Sequence, residues 1–458
     1  MSQADSIRAA EPSLRLQARH LLTLGLPLVG SQLAQIAIHT TDTLTLGWYD
    51  VTALAAVSLA GPVFFAVFIL GAGFAWAVLP MVASSAGTDD DRQVRRTTRM
   101  GLWLSIAYGV VFTFPLMLFE PFFLVIGQDA EVSRIAGNYM QVFGLGLLPA
   151  LLIMVLRSYL SALEHTRIVL WMTIAMAVLN AISNYIFIFG NLGAPELGVY
   201  GAAISSLVSN LTGLAILVAY TQIKTSEYTL FQNFQRPDWE AMGSVFRLGW
   251  PIGLTHLSEV GLFAIASIFM GWVGTIALAA HGIALQIASI TFMVHMGLSQ
   301  AITVRAGQAW GRGDAGLLTA ASKAALVLSG GMVLITIAVF LLFPNFLVGL
   351  FVDTNDPNRA EILEIGAVLL ALAALFQLVD AAQVMALGML RGVQDTKIPM
   401  IYAAFSYWVV GIPVSYVLGF VVDWGGTGIW LGLTVGLGVA AILLQHRFWK
   451  RRVSYLAT

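Results

Sequence analysis

Twelve continuous apolar runs leave this chain few ways to fold. They cover residues 21–47, 53–80, 100–119, 132–160, 168–189, 198–222, 243–271, 276–302, 320–343, 362–388, 398–421 and 427–446. About 20 such residues cross the hydrocarbon of a bilayer as a helix. Backbone groups in lipid must bond within the chain, so a spanning segment is a helix or a strand of a closed barrel, and runs this long read as helices. Composition agrees. The 458 residues are 58% hydrophobic and 10% charged, whereas soluble domains are about 25% charged. The expected product is an all-α integral membrane protein.

The distribution of basic residues tests the count of spans. Of 23 Lys and Arg, all but Arg134 and Arg359 fall at the N-terminus, in alternate connections with their adjoining helix ends, or at the C-terminus. Basic residues stay on the cytoplasmic side, and one miscounted helix would scramble the pattern. Twelve spans with both termini cytoplasmic follow. The first 19 residues are polar and carry Arg8, Arg15 and Arg19, so no cleavable leader is expected. Net charge −1 and the absence of cysteine give no reason to expect nucleic acid, a disulfide or a thiolate metal site. No phosphate-binding lysine loop is present, so no nucleotide and no cofactor is expected. Energy for any transport would come from an ion gradient.

The chain also repeats itself. Offset by 224 residues, LGLPLVG (24–30) falls on LGWPIGL (248–254), TALAAVSLA (52–60) on IALAAHGIA (276–284), and Gly87 on Gly311. HTRI (165–168) is similar to DTKI (395–398). The expected domains are a six-helix lobe at 1–230 and a second at 231–458. Six is even, so both lobes have the same orientation, as two like bundles that flank a central cavity and rock about it. The polar segment 224–242 between them reads as a cytoplasmic hinge strap.

Three acids interrupt the apolar runs: Asp42 in the first, Glu259 in the seventh and Asp380 in the tenth. A charged residue at mid-span costs about 2.5–3.5 kcal/mol on insertion scales, so each is a candidate functional group. Helical spacing gathers neutral polar groups beside them. Gln32, Gln35, His39 and Asp42 form one stripe; His256 and Glu259 are three apart; Gln377, Asp380 and Gln383 repeat at three. No Lys or Arg belongs to the middle of any span, so this interior should attract positively charged cargo. Asn180 and Asn184 lie one turn apart on the fifth run, where amides serve either as helix–helix contacts or as oxygen ligands. His39, His256, His281 and His295 read first as satisfied interior imidazoles, with His39 and His256 as secondary candidates beside the acids. TDDDRQ (88–93) reads as a solvated connector.

TTDTLTLGW on the first run, LGWPIGLTHLSEVGLF on the seventh and VDAAQVMALGMLRGVQDTKIPM on the tenth resemble the multidrug and toxic compound extrusion (MATE) transporters, in their NorM-like branch. The resemblance covers essentially the whole chain. It implies a monomeric antiporter that exports small organic cations in exchange for sodium or protons. It also implies that Asp42, Glu259 and Asp380 are the membrane-embedded groups tied to coupling, with sodium among the ions they would hold. The second large branch, DinF-like, carries an acid on the fifth helix, where this chain has Asn184. A flippase for a lipid-linked precursor is the alternative, but diphosphate cargo would call for mid-span cations.

Overall fold

The computed structural model describes residues 13–453. Twelve of its helices are long and apolar enough to cross a membrane. They are α1 (Leu14–Tyr49), α2 (Val51–Ala86), α3 (Asp91–Met117), α4 (Ala130–Ala162), α5 (Thr166–Phe187), α6 (Val199–Lys224), α7 (Trp239–Val273), α8 (Thr275–Arg312), α9 (Ala315–Leu342), α10 (Arg359–Gly392), α11 (Lys397–Val421) and α12 (Gly425–Lys450). Each contains most or all of one apolar run, and most extend beyond it.

The sequence repeat is legible in local structure. Asp90 accepts from the Gln93 N–H at the start of α3, at 2.9 Å, and Asp314 accepts from the Leu317 N–H at the start of α9, at 2.8 Å. Such caps are worth about 1 kcal/mol each, and one end of TDDDRQ is thereby assigned. Short helices precede α4 and α10, at Glu120–Val125 and Pro344–Gly349. Both pairs stand at the 224-residue offset. The shorter match is reproduced too. His165 bonds the Tyr220 hydroxyl of α6 at 2.9 Å, and Asp395 accepts two bonds from the Arg447 guanidinium of α12, at 2.7 and 3.2 Å.

By packing, the chain forms two compact units. One is Gly30–Gly253; the other joins the chain up to Val29 to the chain from Leu254 onward. The sequence repeat divides the chain at 230/231, whereas these units divide inside α1 and α7, again at equivalent positions. Pro27 and Pro251 lie just before the two divisions. Each removes one backbone bond from its helix.

Close backbone approaches hold the leading half of each divided helix in its unit. A Cβ on Gly73 of α2 would lie 2.5 Å from the Gly249 carbonyl oxygen and 2.7 Å from the Gly253 nitrogen. In the other unit, a Cβ on Gly297 of α8 would lie 2.6 Å from the Val29 nitrogen. Gly73 and Gly297 are repeat equivalents. Only glycine lets the helices cross at this distance.

Residues 225–238, the greater part of the segment 224–242 expected as a hinge strap, are docked on α3 within the Gly30–Gly253 unit. Arg99 donates to the carbonyls of Thr229, Leu230 and Gln232, and Arg95 donates to the Thr229 hydroxyl. Trp103 donates to the Phe234 carbonyl at 2.9 Å and stacks on its ring. Arg96 pairs with Asp238. This bond, and then the Ala241 N–H, hold the Asp238 carboxyl below its ordinary range. The tie is therefore complete at neutral pH and is lost only as pH falls through that lowered value.

Two outcomes follow from this packing. Gly73→Ala and Gly297→Ala should each cost about 1–3 kcal/mol through overpacking, read as a lower melting temperature in detergent. Gly61→Ala and Gly282→Ala, where a Cβ meets nothing within 4 Å, should leave it unchanged or slightly raised. Arg99→Ala removes the donor for three strap carbonyls and should speed limited proteolysis within 225–238 several-fold.

Candidate functional site

In the Gly30–Gly253 unit, Asp42 is held by helices far away in sequence. Its Oδ1 accepts from the Asn184 amide of α5 at 2.6 Å, and its Oδ2 faces the Ser206 hydroxyl of α6 at 3.4 Å. The Asn184 amide also reaches Asn180 Oδ1 at 3.4 Å. Asn180 and Asn184 are fully buried, and Asp42 is half-buried. The buried Tyr139 of α4 lies within reach of the Asp42 charge, as does His39. Asn184 Oδ1 has no hydrogen-bond partner. A carboxylate, two amides and a hydroxyl thus converge from three helices, and among the described residues no arginine or lysine bonds the acid.

The second cluster forms in the other unit, where α7, α10 and α11 contribute. Gln383 donates to Glu259 Oε1 at 3.2 Å, while His256 Nδ1 faces Glu259 Oε2 at 3.6 Å. Arg391 Nη2 meets His256 Nε2 at 2.8 Å. Asp380 lies near enough to Glu259 to feel its charge, and the fully buried Tyr407 feels both acids. Tyr407 sits in a wider-wound π-helical turn, Phe405–Gly411, an irregularity that often marks functional positions. A narrow crevice borders the cluster, lined by His256, Glu259, Phe292, Met296, Leu387 and Arg391 among others.

Several buried oxygens here have no hydrogen-bond partner among the described residues: Asp380 Oδ1, Gln383 Oε1 and Gln377 Oε1. Leaving one such group unmet costs about 1–3 kcal/mol. Carboxylate and amide oxygens of this kind suit a hard cation. Among the described residues no three His, Asp or Glu side chains gather as a metal set, so both clusters rely on amides and hydroxyls to complete any cation shell.

The helical stripes divide differently from the expectation that each acid uses neighbours on its own helix. Gln32 and Gln35 do not serve Asp42. Together with Ser31 they accept from Arg157 of α4, at 3.1–3.3 Å. Gln377 donates to the Ala288 carbonyl at 3.2 Å. His281 accepts from Trp430 at 3.1 Å and also meets Ser267, and His295 meets Ser329 at 3.0 Å. Both are interior imidazoles with hydrogen-bond partners. The interior also holds more cation than mid-span positions suggested. Arg157 and Arg391 belong to the ends of α4 and α10, yet Arg157 is buried and both reach inward.

The repeat exposes an asymmetry. At the 224-residue offset His256 and Glu259 correspond to Gln32 and Gln35, while Asp42 corresponds to Ala266. The two units therefore place their acids at different depths of their leading helices. Ser206, Tyr139, Tyr407 and Arg391 escaped sequence reasoning. The serine pair 205–206 inside an apolar run was the only signal for the first, and nothing in spacing marked the others.

The MatE family model matches this chain twice, at residues 27–186 and 251–417. Over 440 residues the chain is 47% identical to "Probable multidrug resistance protein NorM" of Rhizobium meliloti (strain 1021), covering 95% of this chain and 94% of that one. The like-named protein of Pseudomonas putida KT2440 is 38% identical over 447 residues, with 96% of each chain covered. Among solved structures, a multidrug resistance MATE family transporter in an outward-facing conformation superposes with TM-score 0.85 at 23% identity, covering 98% of this chain and 99% of that one. A MATE in a straight conformation gives TM-score 0.87 at 22% identity over the same shares. The structures speak for the fold; the family model and the relatives, aligned nearly end to end, establish that this chain belongs to the MatE family.

Proposed function

We propose that this protein is a secondary antiporter that expels amphipathic organic cations in exchange for sodium ions or protons. As a MatE-family chain it is a multi-pass membrane transporter of the multidrug efflux kind and not an enzyme. The finer reading rests chiefly on one observation: Asp42 and Glu259 are met by amides, a hydroxyl and an imidazole, Asp380 Oδ1 is buried without a hydrogen-bond partner, and among the described residues no lysine or arginine bonds any of the three acids. Such carboxylates keep their attraction for a mobile cation.

The chemistry is competition. With the sites open to the outside, sodium or a proton takes the carboxylates and releases the organic cation. With the sites open to the cytoplasm, the ion leaves and the freed carboxylates draw the next organic cation. One negative site cannot favour two positive guests together, and the coupling is reciprocal. Asn180, Asn184, Ser206 and the Asp42 carboxylate would supply oxygen ligands in one unit. Glu259, Asp380, Gln383 and Tyr407 would supply them in the other. The protein works without a cofactor, as a monomer, in a bacterial cytoplasmic membrane with both termini inside.

Asp380→Asn should lower export of a fluorescent cation from loaded vesicles at least tenfold with membrane abundance maintained; undiminished efflux would contradict its role. Glu259→Gln and Asp42→Asn should each change the dependence of export on sodium or pH. An ion response identical to wild type, with only abundance reduced, would leave those acids a purely architectural part.

A further inference from the structure

We infer that Arg391, acting through a neutral His256, is a tethered cation that weakens the hold of Glu259 on its guest and so permits release. The inference rests on the role of Glu259 proposed above and adds a positioning residue to it.

Hydrogen-bond logic assigns the bridge. An arginine side chain only donates, so His256 Nε2, at 2.8 Å from Arg391, accepts. The ring is therefore neutral, and its hydrogen lies on Nδ1, the atom that faces Glu259 Oε2 at 3.6 Å. Glu259 thus has a Gln383 amide at one oxygen and an N–H dipole at the other. A permanent positive charge stands one imidazole away, and that charge acts on Glu259 and Tyr407. The ionisable groups around the bridge are Glu259 on α7, Asp380 and Arg391 on α10, and Tyr407 on α11.

The other unit supplies an internal control. There Arg157 donates to Gln32 at 3.3 Å and to Gln35 at 3.2 Å, at the positions equivalent to His256 and Glu259. An arginine meeting a neutral acceptor at this place is thus common to both units. Only one unit sets an acid behind the acceptor. A direct ion pair would occupy Glu259 permanently. The interposed ring keeps the guanidinium at a distance where it opposes a guest cation without replacing it.

The test uses full-length protein in vesicles, with ethidium export measured against sodium at fixed pH and against pH without sodium. For Arg391→Gln, the half-saturating concentration of the coupling ion should fall on the order of tenfold, with a lower maximal rate as release slows. Arg391→Lys keeps the charge and should stay within about twofold of wild type. Unchanged half-saturation in Arg391→Gln, or equal changes in both variants, would overturn the inference. Glu259→Gln separates this from the function itself. If that variant leaves ion dependence unaltered, the role of Glu259 fails; if it alters it while Arg391→Gln does not, only the tethered cation fails. Should Arg391→Gln not reach the membrane, His256→Gln and His256→Leu carry the same question. Glutamine at the equivalent position accepts from arginine, so His256→Gln should shift the half-saturating concentration less than His256→Leu does. Identical values for the two would contradict the proposal.

Discussion

A carboxylate inside apolar helices must find donors that do not cancel its charge. A direct arginine partner would satisfy it and end its usefulness; leaving it bare would cost more than the fold can bear. Both units meet this constraint with an amide drawn from a helix far away in sequence, joined by a hydroxyl in one unit and an imidazole in the other. Asp42 leans on Asn184 and Ser206, and Glu259 on Gln383 and an imidazole. The arrangement leaves several buried oxygens nearby without partners among the described residues, as the proposed cation sites require. A set of acceptors that is complete without a cation has no reason to bind one.

The architecture supporting those sites is duplicated, but the chemistry is not. Capping aspartates, short helices ahead of α4 and α10, glycine crossings at Gly73 and Gly297, and proline-bearing leading helices all recur at one offset. Arginine against the leading helix recurs as well. Within that common frame one unit places glutamine where the other places glutamate, and puts its own acid further along α1. Two sites of unequal composition are a natural basis for distinguishing two kinds of positive guest.

Much of this was legible in the residues alone. Apolar run length decided the helix count, because it follows from the solvent in which each segment must sit. The repeat was readable because glycines, prolines and caps answer local backbone demands. The acids stood out because a charged residue within an apolar run is costly. What stayed hidden depends on which helices become neighbours. Gln35 shares a stripe with Asp42, yet a buried Arg157 claims it, and periodicity along one helix carries no information about a side chain arriving from another. The docking of 225–238 was equally invisible, since Arg99 and Trp103 hold it mainly by its backbone carbonyls, which any sequence offers. Tyr407 and Ser206 are ordinary residues made special by what faces them.

The account turns on mutual exclusion between an inorganic and an organic cation, and equilibrium binding addresses it most directly. With purified protein in detergent, the affinity for ethidium should be measured across sodium concentrations and across pH, and the affinity for the coupling ion measured with and without ethidium. The account predicts that one of the two ions weakens ethidium binding, and that ethidium weakens binding of that ion by the same factor. Affinities that ignore one another, or that rise together, would contradict it.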